Sequence, residues 1–193
     1  MSKISLPTKW GNQMKKIGIY TFIISILALV IFTSGCTNNE INQSDVGNYS
    51  VNGLSFSYPI EWIIQGQTRG NVNYIYLYDQ EYMSSNETKG DIVIITSTPS
   101  NENTTYETVK KGITNSTNIS YKTSEGTVNI AGLVGNLTIF NGTDSNGNKT
   151  QTKLIYFEKN NFTYILTFNV IGGINIQDQQ KYFDTIINSL QIP

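Results

Sequence analysis

The chain has 193 residues, with 13 Lys+Arg against 14 Asp+Glu, no histidine, and one cysteine, Cys36. Without an imidazole there is no Ser-His or Cys-His pair and no His/Cys zinc centre, and a single cysteine excludes an internal disulfide. Four lysines and no acid precede Cys36, whereas nine basic residues and fourteen acids follow it, a net of −5 that leaves no electrostatic footprint for nucleic acid.

Lys15-Lys16 closes a positive n-region, and residues 17–32 form an uncharged apolar run of sixteen. As a helix this run spans about 24 Å, short of the roughly 30 Å of a bilayer core. Thr33-Ser34-Gly35-Cys36 follows, small residues running into the cysteine. That order resembles a lipoprotein signal, which implies a diacylglyceryl group on the Cys36 sulfur and cleavage just before it. Residues 1–35 are therefore expected to be a signal peptide, with Met14 as an alternative start. Residues 36–47 are expected to be the lipidated cysteine and a flexible polar tether. Two lipid chains anchor stably, which places the body on the extracytoplasmic face of the cell membrane. An uncleaved anchor and a fully secreted form are the alternatives.

From about Asn48 the pattern becomes one of strands. Leu54, Phe56 and Tyr58 alternate with Ser55 and Ser57, and Asn52-Gly53 before them is a hairpin-turn pair. Val72, Tyr74, Tyr76 and Tyr78 alternate with Asn73, Ile75 and Leu77, and 91–96 is a continuous run suited to a central strand. Thr104 and Glu107 predict a capping box for a short helix carrying Tyr106, Val109 and Ile113 on one face and ended with the help of Gly112, with Lys110-Lys111 on its solvated side. Residues 127–140 read as a strand pair interrupted around Gly132 and Gly135. Residues 150–158 and 162–170 read as a hairpin joined by Lys159-Asn160-Asn161, with Tyr164, Leu166, Phe168 and Val170 on one face. After Gly172-Gly173 the period switches to 3.6, and Ile176, Phe183, Ile186, Ile187 and Leu190 form one apolar stripe. Strands, a short helix, more strands and a closing helix predict an α+β domain over residues 48–193, an antiparallel β-sheet covered by helices.

Three segments together resemble the PsbP-like family: Leu54–Trp62, a strand running into Pro59 and Trp62; Thr163–Val170, a late core strand; and Phe183–Ile192, a closing helix. The resemblance implies an antiparallel sheet sandwiched between helices, in proteins that act mostly as accessory or docking subunits. It assigns no partner-contact residue here. Pro59 and Trp62 are expected to be a strand stop and a core anchor.

Ten Asn-x-Ser/Thr sequons follow the cysteine, at Asn42, Asn48, Asn86, Asn103, Asn115, Asn118, Asn136, Asn141, Asn148 and Asn161. Composition alone gives about four or five, so the excess predicts a glycosylated surface body. Asp144-Ser145-Asn146-Gly147-Asn148 looks like the start of a calcium loop but lacks the acid twelve positions on, where Ile155 stands, and reads as a hairpin tip. Asp79-Gln80-Glu81 offers half of a carboxylate site and otherwise a solvated loop. Tyr74, Tyr76 and Tyr78 are a candidate partner surface, against the alternative of sheet packing under a helix. No cofactor and no metal are expected. The expected function is a non-enzymatic accessory or binding module with a membrane or envelope protein as partner. The alternatives are a carboxylate-dependent hydrolase of envelope glycans, which needs two facing acids, and a structural glycosylated envelope protein.

Overall fold

The computed structural model describes residues 45–86, 89–101, 103–115, 121–144 and 146–193. Cys36, the leader, most of the tether, Asn42 and Asn118 lie outside the described residues.

Local turn chemistry sets much of the topology. Asn52 and Gly53 both have positive φ, 51° and 81°, the conformation of a two-residue hairpin whose twist matches its strands. They join β1 (Val46–Val51) to β2 (Leu54–Pro59), with Val51 opposite Leu54. Val46 and Gly47, read above as tether, are thus strand residues opposite Pro59 and Tyr58. Gly47 suits the site because a Cβ there would lie 2.8 Å from the Tyr58 ring.

A seven-stranded antiparallel sheet follows, in the order β3-β4-β5-β9-β8-β7-β6. Its strands are β3 (Ile63–Arg69), β4 (Val72–Tyr78), β5 (Gly90–Pro99), β6 (Lys122–Ile130), β7 (Leu133–Thr143), β8 (Lys149–Lys159) and β9 (Phe162–Ile171). The helices are α1 (Gln80–Ser84), α2 (Tyr106–Asn115) and α3 (Ile176–Ser189). Two more two-residue turns at positive φ, Ala131-Gly132 and Asn160-Asn161, close the β6–β7 and β8–β9 hairpins. The interruption expected at Gly132 is therefore a turn. Gly135 lies within β7, where a Cβ would come 3.2 Å from Ile155.

Period-two alternation sorts the sheet into two faces. Leu77, Val93, Phe168, Ile155 and their neighbours form the core face, covered by α3 through Phe183, Ile186 and Ile187 and by Phe56 of β2. Burying each of those α3 side chains is worth roughly 1.5–3 kcal/mol. Trp62 is buried against Tyr182 of α3, and its N–H donates to the Pro59 carbonyl at 2.9 Å, so strand stop and core anchor form one corner. The opposite face carries α1 and α2. Tyr78 contacts Tyr82 of α1, and Tyr106 of α2 packs against Tyr156 and hydrogen-bonds the Thr138 hydroxyl. An α+β sheet between helices is what the structure shows.

The start of α2 is shifted by one residue from the expected capping box. Thr105 caps it, exchanging hydrogen bonds with Thr108: Thr108 N–H donates to Thr105 Oγ1 at 3.3 Å and Thr105 N–H to Thr108 Oγ1 at 3.0 Å. Gly112 lies inside the helix, which runs on to Asn115. Lys111 is solvated, but Lys110 turns to the sheet and bonds Glu107 and Glu125 at 2.9 and 2.8 Å.

Candidate functional site

Among the described residues, a cleft of about 530 Å³ opens on the core face, between the β1–β2 hairpin and the strands β3, β4, β5 and β9. Gly66 makes the space. It stands opposite Ile75 on the core side of β3, and a Cβ there would meet only the Tyr49 hydroxyl, at 3.9 Å. Tyr49 reaches in from β1 with its ring stacked on Phe56, centroids 5.1 Å apart. The Tyr164 ring stacks on Phe157 at 5.2 Å and 9°. Val51 and Phe162, 48% and 38% exposed, lie at the margin, and Pro193 of the C-terminus closes one end.

The lining holds no Asp, Glu, Lys or Arg. Its polar groups are carboxamides, of Asn52, Gln67, Asn73 and Asn160, and hydroxyls. Two of the amides are held in place. Thr68 Oγ1 donates to Asn73 Oδ1 at 2.9 Å, and Asn160 Nδ2 donates to the Pro193 carbonyl at 3.2 Å. Asn73 is thereby left to offer its amide N–H groups and Asn160 its oxygen. The Tyr164 hydroxyl has no hydrogen-bond partner among the described residues, although the residue is only 5% exposed, and burial raises its pKa, as it does that of Tyr49. Such a site can pack an apolar face and exchange hydrogen bonds, but it contains no acid or base for proton transfer near neutral pH.

The expected tyrosine surface divides. Tyr74 and Tyr76 stack at 6.1 Å and 16° on the face away from the core, half-buried. Tyr78 does not join them: it is 6% exposed, packed on Tyr82 of α1, and is excluded from any partner surface by that helix.

Asp79-Gln80-Glu81 is not a loop but the start of α1. Asp79 is its N-cap, accepting from the Tyr82 N–H at 2.7 Å. Next to it the structure places a group that sequence reading passed over. Asp91 lies on β5 in register with the core-facing Val93, and its two carboxylate oxygens are buried without a hydrogen-bond partner at 0% exposure. Desolvation, then the charges of Asp79 and Glu81, push it up to about 8. Burial raises Asp79 as well, against the opposing pull of backbone N–H groups. Asp91 is closed off from solvent, so the two acids do not face each other across a cleft. Lys153 is the other buried charge, its pKa lowered by burial, with Nζ bonded to Gln180 and 4.8 Å from the Phe183 ring.

Asp144 accepts from the Asn148 amide and from the N–H groups of Asn146 and Asn148, which lowers its pKa and ties the end of β7 to Asn146 and Asn148 just before β8. No group of three or more acids and cysteines that could hold a metal occurs among the described residues. Nor is any described helix long and apolar enough to cross a membrane. Asn48, Asn86, Asn103, Asn115, Asn136, Asn141 and Asn161 are exposed, and Asn148 is half-buried.

A family profile described as PsbP-like protein matches residues 23–192. Among solved structures, the cyanobacterial PsbP of Synechocystis is similar over 83% of this chain and 99% of its own, at 13% identity and a TM-score of 0.53. A protein from Bacteroides thetaiotaomicron aligns over 72% of this chain and 45% of its own, at 13% identity and a TM-score of 0.41. A protein of unknown function from Pseudomonas aeruginosa aligns over 72% and 91%, at 14% and 0.39. No curated protein sequence matches significantly.

Proposed function

The chain belongs to the PsbP-like protein family, and on that premise we propose that it is an accessory binding module, held by lipid on Cys36 at the extracytoplasmic face of the membrane. The observation that carries this reading is the cleft beside Gly66: it is preformed, rimmed by apolar side chains, rich in oriented amides and lined by no charged side chain. Pockets of this size and make-up hold ligands or protruding groups of partners. A tether of about ten residues confines the module close to the bilayer, so a contact too weak to hold in solution suffices at the surface. Hydrolysis by paired carboxylates finds less support, because the buried acid Asp91 has no opening to a substrate.

The test is co-purification from detergent-solubilised native membranes, comparing the wild-type chain with Gly66→Phe. The substitution has room at the Cβ, needs no unusual backbone angle and fills the cleft. One stoichiometric partner captured by the wild type and lost from Gly66→Phe is the expected result. An undiminished partner, or none with either chain, contradicts the reading, and the latter favours a purely structural envelope role.

A further inference from the structure

We infer that the cleft between the β1–β2 hairpin and β3 recognises a neutral saccharide, one or two rings of it, and that this is the part of the partner it grips; the inference rests on the cleft being the contact site proposed above.

Three properties of the cleft select the ligand. The first is charge. With no ionic side chain in the lining, a phosphate or a carboxylate loses its hydration without a counter-charge. The second is the type of polar group. A carboxamide carries donor and acceptor ends side by side, as each sugar hydroxyl does, and Asn73 and Asn160 are already turned by their own hydrogen bonds to present one N–H and one oxygen end. The side chain of Gln67 beside them makes no hydrogen bond among the described residues. A purely apolar ligand leaves these amides desolvated and unpaired, so it is disfavoured.

The third is the aromatic content. Tyr49 and Phe162 offer apolar surface of the kind that packs against the C–H face of a pyranose, while the hydroxyl of Tyr164, a residue only 5% exposed, has no hydrogen-bond partner among the described residues. A sugar hydroxyl satisfies it. Tyr164 cannot satisfy itself by moving, because its ring is clamped on Phe157. The volume, about 530 Å³, is within the range of small-ligand sites, roughly 300–1,000 Å³.

The experiment is titration of the full-length chain in detergent with maltose, cellobiose and N,N′-diacetylchitobiose, read by ligand-observed NMR. A glucuronate-containing disaccharide and an uncharged extended hexapeptide serve as controls. At least one neutral sugar is expected to saturate at millimolar concentration or below, with neither control binding. Tyr164→Phe, which keeps the stack on Phe157 and removes one hydroxyl, is expected to weaken it about fivefold, and Gly66→Phe to abolish it. Parallel arms with a soluble neutral polysaccharide and with a glycopeptide tell envelope polymer from protein-linked glycan, and saturation in either supports the assignment. No saturable neutral sugar, binding unchanged in both variants, or binding of the hexapeptide alone overturns it. A Gly66→Phe chain that loses its membrane partner while no sugar binds the wild type removes the saccharide and leaves the binding module standing.

Discussion

Asp91→Asn gives a sharp physical test of how this domain is held together. In the folded chain both oxygens of Asp91 are buried and unpaired, and its pKa lies at about 8, desolvation being the main cause. Unfolded, the same carboxyl titrates near 3.9. Between those values the native state holds a proton that the unfolded chain has released. The contribution of Asp91 to stability is therefore greatest below about pH 4 and falls by about 1.4 kcal/mol per pH unit until about pH 8, where it levels off. Over four units the ceiling is about 6 kcal/mol, a large share of the 5–15 kcal/mol typical of a domain. Asparagine cannot ionise, but it brings N–H donors into a site with no partner for the carboxylate, at a cost of about 1–3 kcal/mol. Asp91→Asn is then less stable than wild type at pH 4 and more stable at pH 8 by about 3–5 kcal/mol, the curves crossing between about pH 5 and 6. Urea unfolding followed by the fluorescence of buried Trp62 at pH 4, 6 and 8 measures the difference, and subtracting the two chains cancels the titrating groups that do not interact with Asp91. A wild-type minus variant difference that stays constant from pH 4 to pH 8 refutes the reasoning.

Three further outcomes follow from the same geometry. Gly90→Ala unfolds the domain or lowers its stability by at least about 3 kcal/mol in thermal melts, since φ is 128° and a Cβ would lie 2.4 Å from the Tyr82 nitrogen. Trp62→Ala costs about 3–5 kcal/mol in urea titration, because the indole is buried between the β2–β3 corner and Tyr182. Native protein is heavier than its lipidated chain by one or more glycans, removable by endoglycosidase, with the modified residues drawn from the exposed sequons; an intact mass equal to the bare lipidated chain rejects this.

What could be read from the sequence was local. Asn52-Gly53 and Asn160-Asn161 are residue types that tolerate the positive φ of their turns, and the alternation of Tyr164, Leu166, Phe168 and Val170 needs only period two. The stripe on α3 is equally self-contained. Misreadings arose where neighbours decide. Tyr78 looks like Tyr74 and Tyr76 in sequence, and only the five-residue α1 folded over it makes it core. The cap of α2 moved from Thr104 to Thr105 because Thr108 takes the reciprocal role expected of Glu107. Asp91 opens a run that reads as a central strand, and nothing beside it in the chain shows that both its oxygens end up buried without a partner. The cleft left no sequence signal. It is assembled from β1, β3, β4, β5, β9 and Pro193, and it contains no charged side chain, cysteine or motif to draw attention.

The proposed role requires a tethered body outside the cytoplasm, and mass spectrometry of the N-terminal peptide from native membranes tests that directly. The predicted peptide begins at Cys36 and carries two lipid chains. A peptide that runs unbroken from Ser34 through an unmodified Cys36 contradicts it.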